Sequence, residues 1–288
     1  MADENSQATR GIGWIASYPK SGNTWVRILI YHLVRLQAGH PRADNDLHAL
    51  DRASGYEARF YGLFEEFIGK PLAVAAADEV AAVRQSVHAA IADRAPSVAL
   101  VKTHNILGKI NRYPTINMEV TAGTIYIVRD PRDVVMSLAD HLGATVDEAI
   151  TVMETAAYQT KGSEEVAFEI WGSWSQHVMS WTGTPRKSTL VVRYEDLQQD
   201  PRQVFKAIAN HLYQSPTEEQ ITEAVKLSSF KELYDQESLG DFRERSPYAE
   251  RFFRVGKSGQ WRENLTAAQV QRIERSHGEQ MKRFGYLD

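Results

Sequence analysis

Two patterns of apolar positions alternate along the chain. The apolar run at residues 12–16 predicts a buried strand, and in the segment that follows it apolar side chains recur at helical spacing, from Trp25 to Leu36. The predicted strands are residues 12–16, 97–102, 124–128 and 188–194. The predicted helices are residues 23–38, 77–94, 131–141, 146–159, 165–181, 216–226, 229–236 and 265–284, and a further helix is predicted to begin at residues 200–201. Strands that alternate with helices predict an α/β fold in which helices flank a central parallel β-sheet on both faces.

One stretch, residues 40–75, interrupts this regular order. It has mixed charge and several Gly or Pro breaks, which predict an irregular insertion with short helices. An aromatic cluster within it is a candidate wall of a substrate pocket, made of Phe60, Tyr61, Phe64 and Phe67. Because no linker-like composition or internal repeat divides the chain, we expect a single domain over residues 11–288. The polar residues 1–10 are expected to be a disordered tail.

Composition and charge narrow the functional classes. With 43% hydrophobic and 24% charged residues, the 288-residue chain has the composition of an ordinary soluble globular protein. A net charge of -4 gives no overall attraction to nucleic acid or to anionic membranes, so any anion site must be local. The absence of cysteine excludes disulfides, thiol nucleophiles and cysteine-ligated zinc. No segment has the length and apolarity of a signal peptide or a membrane span, and we expect a cytoplasmic protein with no nucleic-acid partner.

Unusual polar residues follow three of the predicted strands. In open parallel sheets, ligands bind at the carboxyl ends of the strands, where the next loops meet. The residues in question are Lys20, Ser21 and Gly22 after the first strand, Lys102, Thr103 and His104 at the end of the second, and Arg129 and Ser137 after the third. The three groups are therefore expected to meet at one edge of the sheet.

The turn "YPKSGNTW" at residues 18–25 contains the parts of a phosphate cradle. These parts are a lysine, a hydroxyl, a glycine and the free N–H groups at the start of a helix. The order differs from the nucleotide P-loop G-x-x-x-x-G-K-[ST], because Lys20 precedes Gly22. Taken alone, the turn fits equally well a solvent-facing lysine in an ordinary strand-to-helix connection.

Five further stretches occur in order after this turn: "VKTHN", "YIVRDPRDVVMS", "GSWSQHVMSW", "VVRYEDLQQDP" and "RVGKSGQW". Together, over about residues 12–265, the six resemble the cytosolic and bacterial type of the sulfotransferase family that uses 3′-phosphoadenosine 5′-phosphosulfate (PAPS), whose loop reads roughly Y-P-K-[SA]-G-[TN]-T-W. The resemblance implies a fold like that of the P-loop nucleotide kinases. It also implies metal-independent transfer of a sulfuryl group from PAPS, which leaves adenosine 3′,5′-bisphosphate (PAP).

The resemblance also implies roles for individual residues. The 5′-phosphosulfate would be held by Lys20, Ser21, Gly22, Asn23 and Thr24. The 3′-phosphate would be bound by Arg129, Ser137, Arg254 and the backbone at Gly256. Adenine would lie among Trp25, Tyr194, Ser228 and Phe230. The catalytic residues would be His104 as the base, Lys102 as its electrostatic partner and Lys20 at the bridging phosphate oxygen.

Elementary chemistry is consistent with these residue types. A hydroxyl or amine becomes a good nucleophile when its proton is removed, and histidine is the fitting base at neutral pH. A sulfuryl group carries less negative charge than a phosphoryl group, so lysines and backbone donors can act where kinases need magnesium. Asp130 follows a strand as a metal-binding carboxylate would, but its place before Pro131 favours a helix N-cap. His177 either borders the acceptor or, as we expect, is an interior partner within a helical layer.

Several alternatives stay open. A nucleotide-dependent kinase of related fold is the second enzymatic hypothesis, and a non-catalytic binding module is a third. The basic segment 243–257 fits either a solvated loop or, as we prefer, a mobile loop that closes over the 3′-phosphate and the acceptor. Its Val255 stands where many members have lysine. A partial match of "RENLTAAQVQ" to a dimer motif leaves a homodimer possible.

The acceptor is the least determined feature. Segments 40–75, 142–165 and 235–253 are expected to line its site, with Tyr234, Phe242 and Tyr248 adding to the aromatic cluster. These residues favour a small-molecule acceptor with an aromatic or otherwise apolar part. Steroids, phenols, lipids, glycosides and peptide antibiotics all remain open, as does the choice between oxygen and nitrogen as the nucleophile.

Overall fold

The computed structural model describes residues 10–40, 50, 54–212, 214–238, 242, 244–253 and 256–288. The expected tail at residues 1–10 lies almost wholly outside these ranges, as do Arg254 and Val255. The strands are β1 (Gly11–Ser17), β2 (Gly55–Tyr56), β3 (Val98–Thr103), β4 (Lys109–Ile110), β5 (Tyr113–Pro114), β6 (Thr121–Val128) and β7 (Thr189–Arg193). The α-helices are α1 (Asn23–Gln37), α2 (Tyr61–Ile68), α3 (Ala77–Arg94), α4 (Pro131–Leu142), α5 (Val146–Glu154), α6 (Trp174–Thr182), α7 (Tyr194–Gln199), α8 (Pro201–His211), α9 (Glu218–Leu227), α10 (Phe230–Glu237), α11 (Trp261–Asn264) and α12 (Ala267–Arg283).

Five parallel strands form the central sheet, in the order β2-β3-β1-β6-β7. All four predicted strands belong to it, and the predicted α/β class is confirmed. The fifth strand, β2, comes from the insertion at residues 40–75. With only two paired residues it is too short to show a periodicity in sequence. A separate antiparallel pair, β4 and β5, forms a small hairpin.

Helices cover both faces of the sheet, and side-chain alternation along β1 assigns its residues to the two layers. Ile12, Trp14 and Ala16 pack with α4, α5 and α6 in one core. Ile15, between them in sequence, packs with α1, α8 and α9 in the other. All seven residues of β1 are buried, as expected for a central parallel strand.

Two of the predicted helices are longer than the observed ones. The segment predicted as a helix over 165–181 is helical only from Trp174, because Ser173 caps the helix and accepts a hydrogen bond from the Gln176 N–H. Gly172, just before it, has φ +61°, which ends the extended segment in a left-handed turn. The helix predicted over 146–159 ends at Glu154.

Asp130 is the N-cap of α4, as its sequence context favours. Its carboxylate accepts a hydrogen bond from the Arg132 N–H at 2.9 Å, and Pro131 occupies the first helical position. The carboxylate also pairs with the Arg132 side chain at 2.7 Å. Both bonds of the Asp130 carboxylate therefore serve to stabilise the first turn of α4.

Within the described ranges, no helix is long and apolar enough to cross a membrane.

Candidate active site

The carboxyl ends of β1, β3 and β6 open into one cavity of about 210 Å³. Twelve of the residues predicted for the site line it: Lys20, Gly22, Asn23, Thr24, Trp25, Lys102, His104, Arg129, Ser137, Tyr194, Phe230 and Gly256. Ser21 and Ser228 are fully buried and do not line this cavity. The structure thus brings together the residues that three strand ends and the C-terminal third of the chain supply.

The turn between β1 and α1 has an unusual backbone. Lys20 has φ +66° although it carries a side chain, and Gly22 has φ +101°. A Cβ at Gly22 would lie 2.5 Å from the ring of Tyr194, so only glycine allows this approach. Gly22 is also the N-cap of α1, whose first N–H groups therefore begin at the cavity wall. Such a turn is suited to binding an anion.

The resemblance assigns Asn23 to the 5′-phosphosulfate, but its amide nitrogen bonds within the protein. Its Nδ2 instead donates to the Ile15 carbonyl at 2.8 Å and to Ser17 Oγ at 3.3 Å, and Asn23 is the first residue of the helix rather than its cap. The side chain therefore ties α1 back to β1, and the donor that remains for a phosphate is the backbone N–H, because Oδ1, which has no partner among the described residues, can only accept.

Lys20 is the cationic residue of the turn itself. Its ammonium lies 4.3 Å from the centre of the Phe252 ring. Burial, and then the positive charge of Lys102, lower the pKa of Lys20 to about 8. An anion placed beside it would stabilise the charged form.

Arg129 and Tyr194 form the wall on the β6 and β7 side. The guanidinium lies 4.2 Å from the centre of the Tyr194 ring and donates to the Lys20 carbonyl at 3.2 Å. Its Nε is buried without a hydrogen-bond partner among the described residues. Gly256 also lines the cavity, with φ +61°, and a Cβ there would collide with the ring of Phe230. Asp133 holds the adjoining segment, because its carboxylate accepts from the Gly259 N–H at 2.6 Å.

Aromatic rings border the cavity next to Tyr194. The Trp25 ring meets the Tyr194 ring edge to face, with centroids 5.6 Å apart, and its Nε1 donates to the Ser228 carbonyl at 2.8 Å. The Ser228 hydroxyl is buried with no partner in the described part of the chain. Trp25 and Tyr194 thus give this part of the cavity an aromatic wall.

His104 has a defined tautomer. Its Nδ1 lies 2.8 Å from the Ser17 carbonyl oxygen, which can only accept, so Nδ1 carries the proton and Nε2 keeps its lone pair. Burial, and then the charge of Lys102, lower the pKa of His104 well below its usual range. At neutral pH the imidazole is therefore uncharged, with a basic nitrogen available.

His177, on α6, holds the backbone of His104 by a hydrogen bond. Its Nε2 donates to the His104 carbonyl at 3.1 Å, so its Nδ1 accepts from the Tyr126 hydroxyl at 2.9 Å. It is fully buried in the layer of α6. This agrees with the expectation of an interior partner.

Lys102, Thr24 and Arg27 all bind one carboxylate, that of Glu244. The Lys102 ammonium lies 3.1 Å from Oε2, the Thr24 hydroxyl donates to the same oxygen at 2.8 Å, and Arg27 pairs with Oε1. Although burial alone would raise it, Lys102 and Arg27 hold the pKa of Glu244 well below its usual range. The Glu244 carboxylate is thus an anion bound by Thr24 and Lys102. Thr24 is one of the residues that the resemblance assigns to the 5′-phosphosulfate.

Several residues of the site were not predicted. Arg27 had a signal, since it is a charge inside the apolar run "VRILI" of α1 and is 1% exposed. Glu244 follows no strand and has no motif around it. Tyr56 lines the cavity from the edge strand β2, and Glu169 lies behind it in a segment that we predicted to be helical. No local pattern marks these two.

In the ranges that the structure describes, His, Asp and Glu nowhere gather in threes to form a possible metal site.

Comparison with known proteins agrees with this geometry. The sulfotransferase domain model matches residues 13–285. Cytosolic sulfotransferase 13 of Arabidopsis thaliana is 26% identical over 93% of this chain and 76% of its own. Sulfotransferase 1E1 of Homo sapiens is 26% identical over 93% of this chain and 83% of its own.

Solved structures show the same fold. Retinol dehydratase in complex with androsterone and inactive cofactor PAP is 19% identical, with a TM-score of 0.64 over 93% of this chain and 80% of that one. Mouse sulfotransferase SULT7A1 complexed with PAP is 18% identical, with a TM-score of 0.60 over 94% of this chain and 84% of that one. The fold predicted to be like that of the P-loop nucleotide kinases is confirmed. The chain belongs to the sulfotransferase domain family, and the predicted enzyme class, a PAPS-dependent sulfotransferase, is confirmed with it.

Proposed function

We propose that this protein transfers the sulfuryl group of PAPS to a hydroxyl or amine of a small-molecule acceptor, with His104 as the general base. The observation that carries the proposal is the tautomer of His104, whose basic Nε2 is left available on the wall of a cavity that also holds a phosphate-type turn. A general base beside an anion-binding turn is what group transfer from a nucleotide requires.

The residues present fit the nucleotide. Arg129 lines the cavity and its Nε is buried without a partner in the described chain, and such a group is costly unless a ligand or water satisfies it. Gly22 is the N-cap of α1, so the free N–H groups at the start of this helix lie at the cavity wall. The two solved relatives described above bind PAP. These observations support binding of the 5′-phosphosulfate at residues 20–24 and of the 3′-phosphate at Arg129 and Ser137.

Each side chain then has a distinct task. PAPS supplies an activated sulfuryl group. His104 removes the proton from the acceptor as it attacks, and the Ser17 carbonyl stabilises the imidazolium that forms through its bond to Nδ1. Lys20 and the N–H groups of α1 face the phosphate that departs and stabilise its growing charge. Lys102 adds positive charge beside the transferred group.

The acceptor would enter the same cavity beside His104, whose ring lies 6.1 Å from the ring of Tyr56. The cavity has a partly apolar and aromatic lining that includes Tyr56, Trp171, Leu233, Phe252 and Phe253. The aromatic residues that sequence predicted for the acceptor wall, Phe60, Tyr61, Phe64 and Phe67, do not line it. Retinol dehydratase binds androsterone and retinol in its crystal structures. Both observations support an acceptor that presents one hydroxyl or amine from an apolar ring or chain.

A panel of phenols, sterols, lipids, glycosides and amines, incubated with radiolabelled PAPS and EDTA, tests this proposal. We expect label to pass to at least one apolar acceptor without added metal. Calorimetric titration with PAP and with ATP-Mg separates the kinase alternative, because only PAP engages a 3′-phosphate pocket. Tight binding of ATP-Mg with no binding of PAP would overturn the proposal.

A further inference from the structure

Tyr56 and Glu169 form a buried pair directly behind the two proposed catalytic side chains. The Tyr56 hydroxyl donates to Glu169 Oε2 at 2.6 Å. The other carboxylate oxygen, Oε1, accepts from the backbone N–H of His104 at 3.0 Å. Glu169 is 2% exposed, so the pair has little competition from water.

The ring of Tyr56 carries the second contact. Lys102 Nζ lies 4.4 Å from its centre, within cation–π range, and the His104 ring lies 6.1 Å away with its edge toward it. Lys102 has only one other described partner, Glu244. The face of the Tyr56 ring therefore holds the Lys102 ammonium in place when Glu244 is not paired with it.

We propose that Tyr56 and Glu169 are positioning residues for sulfuryl transfer: Glu169 fixes the backbone of His104, and the Tyr56 ring, held by Glu169, fixes the ammonium of Lys102. This inference rests on the proposed roles of His104 and Lys102. Tyr56 reaches the acceptor cavity, but neither residue contacts the turn at residues 18–22 or Arg129 in the described contacts. The pair should thus govern the chemical step and leave nucleotide binding unchanged.

A second buried carboxylate shows why Glu169 is free for this role. Glu57 lies close by and is bound by Arg84 at 2.8 Å, by His88 at 3.3 Å and by the Asn105 amide at 2.9 Å. Glu169 has no cation among its hydrogen-bond partners, which are Tyr56, Trp171 and the His104 backbone. Burial raises the pKa of Glu169 as a result. Its bonds serve geometry at the active site rather than a salt bridge.

Paired substitutions test each contact. Tyr56→Leu removes ring and hydroxyl, and we expect kcat to fall about tenfold at saturating acceptor with the PAP Kd within twofold of wild type. Tyr56→Phe keeps the ring, and its kcat should stay within about threefold. Glu169→Gln keeps an oxygen for the His104 N–H and should retain most activity, whereas Glu169→Leu should lose about tenfold.

Controls separate positioning from stability. Tyr113→Leu removes a half-buried ring of the β4–β5 hairpin and should lower Tm without changing kcat. Wild-type kcat in Tyr56→Leu, or a fall that simply follows Tm across all variants, would overturn the inference. If Glu169→Leu does not fold, the comparison of Tyr56→Leu with Tyr56→Phe tests the inference by itself.

His104→Ala, measured in the same assay, distinguishes a failure of the positioning role from a failure of the proposed function. An inactive His104→Ala with a fully active Tyr56→Leu contradicts only the positioning role. A fully active His104→Ala contradicts the proposed function itself.

Discussion

The lowered pKa of Lys20 predicts a pH limit for nucleotide binding. The group is cationic below pH 8 and neutral above it, because burial and Lys102 disfavour the charge. An anionic ligand binds the cationic form better, so affinity should be highest near pH 7 and fall as pH rises through about 8. The phosphates of PAP are mostly doubly ionised from pH 7 upward, since their second pKa is about 6, so their own titration does not cause this fall.

The magnitude follows from the fraction of Lys20 that is protonated. With a pKa of about 8, that fraction falls from about nine tenths at pH 7 to about one tenth at pH 9. If only the charged form binds, the Kd for PAP rises about tenfold between the two pH values, or about 1.4 kcal/mol. Isothermal titration calorimetry at half-unit intervals from pH 6.5 to 9.5 measures it directly.

Three variants make the assignment specific. Lys20→Met should bind PAP weakly at every pH, with the step removed, and Lys20→Arg should also show no step because arginine stays protonated. Lys102→Met should keep the step but move it to higher pH, because it removes a charge that lowers the pKa of Lys20. A flat wild-type profile, or a step that survives in Lys20→Met, would refute the reasoning.

Three further substitutions probe the turn, the 3′-phosphate pocket and the core. Gly22→Ala should lower PAP affinity at least tenfold, because the residue has a positive φ and the new Cβ meets an aromatic ring; Gly39→Ala, at φ +78° with nothing within 4 Å, should cost only about 1–2 kcal/mol of stability. Arg129→Gln should weaken PAP about ten- to hundredfold but adenosine 5′-monophosphate less than threefold, as calorimetry would report. Glu57→Gln should lower the free energy of unfolding in urea by about 3–5 kcal/mol, because it leaves the buried Arg84 without its carboxylate.

Elements with a strong local pattern were predictable from sequence. The strand at residues 12–16 and the helix from Asn23 have long runs of regular spacing, and the "RDP" sequence marks the start of α4. Residues 165–173 were predicted to be helical because their apolar spacing continues that of α6. Their actual path depends on distant contacts, such as the Asn105 side chain that accepts from the Ile170 N–H at 2.8 Å.

The residues of the site fall into the same two groups: those that directly follow a strand were predictable from sequence, and those from irregular segments were not. Lys20, His104 and Arg129 follow strands directly, so their meeting at one edge was predictable from topology alone. Tyr56 and Glu244 reach the cavity from segments without periodicity, and sequence spacing says nothing about where such segments fold. The bonds of Asn23 could not be assigned from sequence, because an amide at a helix start can face either the helix or the preceding strand.

Turnover by His104→Ala tests the central claim most directly. Release of PAP from PAPS should be followed with the best acceptor from the panel, beside wild type and beside His211→Ala, whose imidazole lies near Gly123 at the start of β6. Loss of a general base should lower kcat by about 10²–10⁴-fold, with PAP affinity unchanged and His211→Ala fully active. Wild-type turnover in His104→Ala would contradict the account.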